Sequence, residues 1–168
     1  MKTRSFTLPI VTSCLLLVCT SVLAQSDKEI ASIKAAIEKE TFSFLEVNKK
    51  DWEESWLQVP YAYWSYSDST GTSYIEGWNA IKKSFDEYFK THVPSRYIDV
   101  AQKDRKLAVD RIWKEFRIYG NGAFVQYTQK VKDGIGDRDE TSQIRILEKK
   151  DGKWKVVYVG IIAKYPAE

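Results

Sequence analysis

Cysteine is nearly absent from this chain, and both examples, Cys14 and Cys19, fall in one apolar stretch near the N-terminus. The residues that follow therefore have no disulfide framework, thiolate metal site or cysteine nucleophile to draw on. Histidine is as scarce, with His92 alone. That excludes the multi-histidine sets of zinc and copper sites and leaves a Ser/His/Asp triad a single imidazole to be built on. His92 closes a helical pattern just before Val93-Pro94, where a C-terminal capping place is the expectation. An excess of one charge is also missing. The formal charge is +3, and it falls to nearly neutral once Lys2 and Arg4 are set aside. Without a concentrated basic surface, a nucleic-acid partner is not expected. Lys149, Lys150 and Lys153 do cluster, but around Asp151-Gly152, a hairpin-turn signature.

Long hydrophobic runs are limited to Leu8–Leu23, preceded by Lys2 and Arg4 and followed by Val22 and Ala24 at the small-residue positions before Gln25. This pattern predicts a secretory signal peptide over 1–24, cleaved after Ala24, and a secreted or periplasmic single domain over 25–168. A spanning helix needs roughly 20 predominantly apolar residues, whereas Pro9, Thr12, Ser13, Thr20 and Ser21 interrupt this run, so no stable membrane insertion is expected after cleavage. Val11-Thr12-Ser13-Cys14 resembles a lipoprotein cleavage box, but the strongest apolar residues, Leu15–Val18, follow the cysteine instead of preceding it. Lipidation at Cys14 is the lesser alternative. About 140 residues suffice for one ordinary core without covalent staples.

Within the domain, Ile30, Ile33, Ile37, Thr41 and Phe44 recur at helical spacing from Asp27 to Val47, which predicts an amphipathic helix with one buried stripe. Asp51 is placed to cap a short second helix carrying Trp52 and Trp56 one turn apart, ended by Pro60. Tyr61–Ser67 reads as a strand bounded by the Asp68–Thr72 turn cluster. Trp78, Ile81, Phe85, Tyr88, Phe89 and His92 predict a third helix. Ser95–Asp110 has no clean period and reads as irregular connection with a short strand at most. Strands are then expected at about Arg111–Tyr119, Ala123–Lys132, Glu140–Lys149 and Lys153–Tyr165, joined by Gly120-Asn121-Gly122, a Gly/Asp loop and Asp151-Gly152. Helices first and a meander after give α+β: a curved antiparallel sheet of about five strands wrapped around a long N-terminal helix, with two further helices.

The strings Asp51-Trp-Glu-Glu-Ser-Trp56, Tyr74-Ile-Glu-Gly-Trp-Asn-Ala-Ile-Lys-Lys83, Arg117-Ile-Tyr-Gly-Asn-Gly-Ala-Phe-Val125 and Lys150-Asp-Gly-Lys-Trp-Lys-Val156 resemble SnoaL-like members of the nuclear transport factor 2-like superfamily. The resemblance covers nearly the whole chain after the leader. It implies a cystatin-like cone with a pocket at its open end, and dimerisation through the outer face of the sheet. The last strand fits such cover on both sides, since Val157, Val159, Ile161 and Ala163 alternate with Trp154, Val156, Tyr158 and Ile162, and both sets are apolar. The scaffold hosts isomerases, cyclases, dehydratases, adaptors and assembly domains, so it does not settle function.

Ligand pockets are concave, mostly apolar and furnished with a few polar groups. The candidate ligand-binding residues are Trp56, Tyr61, Tyr63, Trp78, Tyr127 and Tyr158, with Gln143 and Arg145 as polar contacts. No catalytic residue is assigned. The resemblance implies that an isomerase-like site needs an inward Asp base and a Tyr/Asp pair, but Tyr61 and Tyr63 stand where the base would lie and Val125 and Tyr127 where the second acid would. Gln143 and Arg145 likewise occupy the place of a cyclase-like Asp. Asp110, Glu115 and Glu140 read as solvent-facing. Asp133, Asp137 and Asp139 with Gly134 and Gly136 form an acidic loop whose spacing does not match a calcium-binding loop, so neither metal nor cofactor is expected. The functional expectation is an exported, homodimeric binder of a small, partly apolar molecule, without catalysis or of unassigned activity. The alternatives are a metal-independent isomerase, cyclase or dehydratase using Tyr and carboxylate groups, and a dimeric protein-interaction module.

Overall fold

A computed structural model describes the backbone of residues 10–94, 108–133, 136–137 and 140–163, and the side chains of 27–94, 108–132 and 140–163. The chain divides into two compact units, Met1–Ser32 and Ile33–Glu168. Helix α1 runs Ile10–Leu45. It begins well before the expected Asp27, because the residues after Pro9 contain no helix breaker and proline is tolerated only at a helix start. Among the described residues no helix is long and apolar enough to cross a membrane.

In the second unit α1 buries Ile33, Ile37, Glu40, Thr41 and Leu45 along one face. It ends where Val47 turns left-handed at φ 56° and the Asn48 N–H reaches back 2.8 Å to the Ser43 carbonyl. This is the six-to-one bond of a glycine-type helix stop, made here with valine in the strained position. Helix α2 follows at Lys49–Ser55, and its N-cap is Asn48, whose side chain accepts from the Asp51 N–H at 3.2 Å. The expectation of Asp51 as cap is thus one turn late. Asp51 instead takes the return position of the cap, with Asn48 Nδ2 donating to it at 2.6 Å.

Strand β1 (Tyr63–Asp68) pairs with β2 (Gly71–Glu76) in a hairpin, and α3 spans Trp78–Thr91. His92 stands at the C-cap of α3, its N–H bonded to the Tyr88 carbonyl at 3.0 Å. The β2 segment was expected only as the approach to α3; its Thr72-Ser-Tyr-Ile75 run has strand propensity but is almost wholly exposed, so burial alternation could not reveal it. The remaining strands are β3 (Ala108–Tyr119), β4 (Gly122–Asp133), β5 (Gly136–Asp137), β6 (Thr141–Lys150) and β7 (Lys153–Ala163). The predicted irregular stretch lies outside the described residues over 95–107. The side chains of the acidic loop at Asp133, Asp137 and Asp139 lie outside them as well.

Among the described residues the sheet has seven strands in the order β2-β1-β7-β6-β4-β3, with β5 on β4. It is mixed, not purely antiparallel, because β7 returns beside β1 in parallel register, Trp64 opposite Val159 and Tyr66 opposite Ile161. Two-residue turns close the β3-β4 and β6-β7 hairpins, with Gly120 at φ 58°, Asp151 at 51° and Gly152 at 75°.

Two bulges bend this sheet and reset which residues face inward. One skips Lys114 between Trp113 and Glu115 in β3, and the other skips Val157 opposite Ile146/Leu147. The second corrects the simple alternation expected for β7. Trp154 and Val156 point inward, and so do Val159 and Ile161, because Val157 takes up the extra step; all but Ile161 are buried outright and Ile161 packs on that core.

Candidate functional site

The inner face of the sheet is organised in rows that run across the strands. Innermost is an apolar row, Val156, Leu147, Ala123 and Ile118. Next come Trp64, Val159, Arg145, Val125 and Phe116, then Tyr66, Ile161, Gln143, Tyr127 and Trp113. The last row is Ala163, Thr141, Gln129 and Arg111. Along β6 the inward face thus turns from apolar to polar after Leu147, with Arg145, Gln143 and Thr141 following in steps of two residues that share a face.

Between these rows and the helices lies a cavity of about 400 Å³. Its helical wall is largely apolar, with Phe44, Leu45, Trp52 and Phe85, and its sheet wall carries Arg145, Gln143, Thr141 and Gln129 beside Trp64 and Ile161. Glu40 and Thr41 of α1 complete the wall.

The polar groups form one directed chain. Arg145 Nη2 donates to Glu40 Oε2 at 3.4 Å, and Thr41 Oγ1 donates to the same oxygen at 3.2 Å. Arg145 Nη1 donates to Gln143 Oε1 at 2.9 Å, Gln143 Nε2 to Thr141 Oγ1 at 2.6 Å, and Thr141 Oγ1 to the Gln129 carbonyl at 3.3 Å. Arg111 Nε donates to Gln129 Oε1 at 2.9 Å. The side chains of Glu40 and Arg145 are only 7% and 3% exposed, so this is a buried ion pair whose desolvation is offset by its hydrogen bonds.

Tyr127 lies between the two arginines, its ring centroid 5.6 Å from the Arg111 guanidinium and 5.8 Å from that of Arg145. Burial raises the Tyr127 phenol above its ordinary pKa, Arg145 and Arg111 pulling the other way and Glu40 adding to the rise. The hydroxyl therefore stays protonated at neutral pH. Burial likewise lowers the Arg111 guanidinium from its usual value; Tyr127 opposes the shift and the like charge of Arg145 adds to it. An arginine so placed still keeps its charge.

Among the described residues, four buried side-chain polar atoms lack a hydrogen-bond partner: Arg145 Nε, Arg111 Nη2, Tyr127 Oη and the Trp56 indole nitrogen. Arg111 is close to the Tyr127 hydroxyl but not in hydrogen-bond geometry with it. Each such group costs about 1–3 kcal/mol when left dry. Three of the four stand together on the sheet side.

The structure brings only part of the expected ligand-binding set to the cavity. Gln143 and Arg145 are on its wall. Tyr127 is on the inner face but wholly buried behind the wall. Trp56 and Trp78 pack against Trp52, at 6.0 and 5.6 Å between ring centroids, and are core residues. Tyr61 is exposed and donates to Glu148 Oε2 at 3.0 Å. Tyr63 and Tyr158 lie on the outer face, 5.6 Å apart, with Tyr74 stacked 5.8 Å from Tyr63. Strand parity explains both corrections: Trp64 and Tyr66, not Tyr63, take the inward positions of β1, and the Val157 bulge turns Tyr158 outward. Tyr158 lies across Gly160, where an added Cβ would come within 2.5 Å of its hydroxyl oxygen, and that hydroxyl is 3.2 Å from Ser65 Oγ.

Asp110 and Glu115 keep exposed side chains outside the cavity lining, and the acid that was missed is Glu40, a desolvated carboxylate on the cavity wall. Its position was readable, since 37, 40 and 44 share one helical face with 33 and 41. No group of three or more His, Cys, Asp or Glu side chains arranged for a metal occurs among the described residues.

No protein-family model matches the chain, and no curated protein matches it either. Solved structures do. A nuclear transport factor 2-like protein of unknown function from Shewanella oneidensis superposes with a TM-score of 0.59 at 10% identity, over 80% of this chain and 98% of that one. A proposed dehydratase of the same fold family from Streptomyces avermitilis gives 0.61 at 11% identity, over 84% and 99%. A protein of unknown function with a cystatin-like fold from Nostoc punctiforme gives 0.53 at 11% identity, over 80% and 90%. The chain has the nuclear transport factor 2-like, cystatin-like α+β fold. At these identities the likeness speaks for the fold and not for an activity.

Proposed function

We propose that this chain is an exported protein that binds a small, partly apolar molecule in the cavity between α1 and the inner face of the sheet. The observation that supports it best is the division of the wall, with rings and aliphatic groups on the helical side and a hydrogen-bonding ladder on the sheet side. That division suits a ligand with an apolar body and one polar end. A thermal-shift screen of aromatic and alicyclic small molecules tests it, followed by mapping of amide shift changes. Binders should raise the melting temperature and perturb Thr141–Arg145 and Phe44 together. A screen with no stabilising compound, or shift changes confined to the outer face, refutes it.

Glu40 supports a second reading, a metal-independent isomerase, cyclase or dehydratase. A carboxylate on an apolar wall, beside donors already oriented toward developing negative charge, is an arrangement that acid–base chemistry uses. The Streptomyces neighbour with a dehydratase description lends it weight by fold analogy alone. Turnover of any isomerisation or dehydration substrate that Glu40→Gln lowers at least 100-fold, with binding retained, selects this reading.

The third reading is a dimeric interaction module. Exposed Tyr74, Ile112, Tyr119, Ile146 and Ile162 belong to strands of the sheet, and Ile112, Ile146 and Ile162 share its outer face. Two copies meeting there would cover this apolar surface. Sedimentation at micromolar concentration should give a dimer that Ile146→Lys converts to monomer; a monomeric wild type refutes it. Export through the 1–24 leader predicts a mature N-terminus at Gln25, read by mass spectrometry of the protein recovered outside the cytoplasm.

A further inference from the structure

We infer that the ligand of this cavity carries a carboxylate on its apolar body, and that Arg145 is the residue that receives it. The inference rests on the cavity-binding reading and narrows it to a chemical class.

The first support is the inventory of unused hydrogen-bonding atoms. Arg145 Nε, Arg111 Nη2 and Tyr127 Oη have no partner among the described residues, and of the three only Arg145 belongs to the cavity wall, Tyr127 lying behind it and Arg111 off it. The ladder's own acceptors are taken: Gln143 Oε1 by Arg145, Thr141 Oγ1 by Gln143 and Gln129 Oε1 by Arg111. What Arg145 lacks is an acceptor for its remaining donor. A charged carboxylate oxygen is a stronger acceptor from a guanidinium than a neutral hydroxyl or an amine.

The second support is the balance of charge. Glu40 is the one buried carboxylate among the described side chains, and Arg145 already answers it. Arg111, half-buried two strands and two rows away, adds a further positive charge, and among the described residues the acids acting on it are that same Glu40 and the exposed Glu38. Among the described residues the buried pair and the half-buried Arg111 thus set two guanidiniums against one carboxylate. A ligand carboxylate restores neutrality, a neutral carbonyl leaves the excess in place, and a cation adds to it. Arginine's planar fork is the donor geometry suited to a carboxylate.

The opposite wall limits the rest of the molecule. Phe44, Trp52 and Phe85 present rings to the cavity from that side and Trp64 does so from the sheet, so the body behind the charged end is apolar and fits within about 400 Å³. Free phosphate or sulfate would neutralise the charge but leave those rings uncovered.

Calorimetric titration with naphthalene-2-carboxylate and its neutral isostere naphthalene-2-carboxamide tests the inference at fixed ionic strength. The carboxylate should bind at least ten-fold more tightly. The double variant Glu40→Gln/Arg145→Gln, which avoids stranding one buried charge, should lose that preference, read as the ratio of the two affinities within the variant. Arg111→Gln, away from the cavity wall and less hazardous to folding, should reduce the preference several-fold. Equal affinities, a tighter carboxamide, or a preference that survives the double variant overturns the carboxylate assignment and leaves cavity binding standing. Binding of neither probe overturns both.

Discussion

On the helical side of the cavity Trp52 packs against Phe44, Trp56, Trp78, Phe85 and Phe89 at centroid distances of 6.3, 6.0, 5.6, 5.5 and 4.9 Å. On the sheet side, β6 sets a buried arginine, a buried glutamine and a half-buried threonine in a hydrogen-bonded ladder that leaves donors unused. Large rings gain from burial and from edge-on contact with one another, and almost every atom in that cluster is satisfied by proximity alone. Buried polar groups gain only where each finds a partner. The same interior thus contains one wall optimised for stability and another that stops short of it, as sites that must receive a ligand do.

Truncation should separate the two walls. Trp52→Ala removes the hub of the ring cluster and should cost about 3–5 kcal/mol in denaturant unfolding, the usual penalty for emptying a large aromatic site. A loss under about 1 kcal/mol would mean that the helices do not depend on it. Glu40→Ala leaves Arg145 charged and buried without its acid, for an expected loss of about 3 kcal/mol, at the low end for a broken buried pair because the cavity can admit water. Glu40→Gln/Arg145→Met should recover most of that loss, since the pair's net contribution is small. If the double variant is as unstable as Glu40→Ala, packing and not charge is the cause.

How far this contrast was legible in the sequence differs between the walls. Ring spacing gave the helical wall, because Trp52 and Trp56 stand one turn apart and Trp78 and Phe85 two turns apart with Ile81 between, as a buried helix face requires. The polar ladder was half legible: Gln143 and Arg145 alternate with Ile144 and Ile146, and strand parity alone leaves open which set faces in. Glu40 was hidden by its type, since an acid next to Lys39 reads as surface, although its spacing from Ile37 and Phe44 pointed inward. Tyr63 was misplaced because the parity of β1 cannot be read from its aromatic run alone, and Tyr158 because nothing local announces the Val157 bulge. Such a bulge is set by how β6 and β7 must bend together, a property of the pair and not of either strand's own residues.

The smallest effect bears most directly on the unfinished wall. Tyr127→Phe deletes a buried hydroxyl that has no hydrogen bond, so it should leave the protein as stable or raise its stability by up to about 1 kcal/mol, against the usual direction for a core change. Alkaline titration checks the same point independently. The folded chain holds the Tyr127 proton more tightly than the unfolded chain does, because burial raises its pKa. As pH climbs past the unfolded value near 10, the unfolded state releases a proton that the folded state keeps, and stability falls with each further increment of pH. Tyr61 and Tyr63 are also shifted upward, Tyr61 chiefly by its hydrogen bond to Glu148 and Tyr63 chiefly by desolvation, so wild type alone cannot assign the slope. The difference between wild type and Tyr127→Phe can. The variant should lose part of the alkaline decline, measured by urea midpoints from pH 8 to 11; superimposable pH profiles would place the Tyr127 hydroxyl in contact with water or a partner instead of in a dry, donor-rich wall.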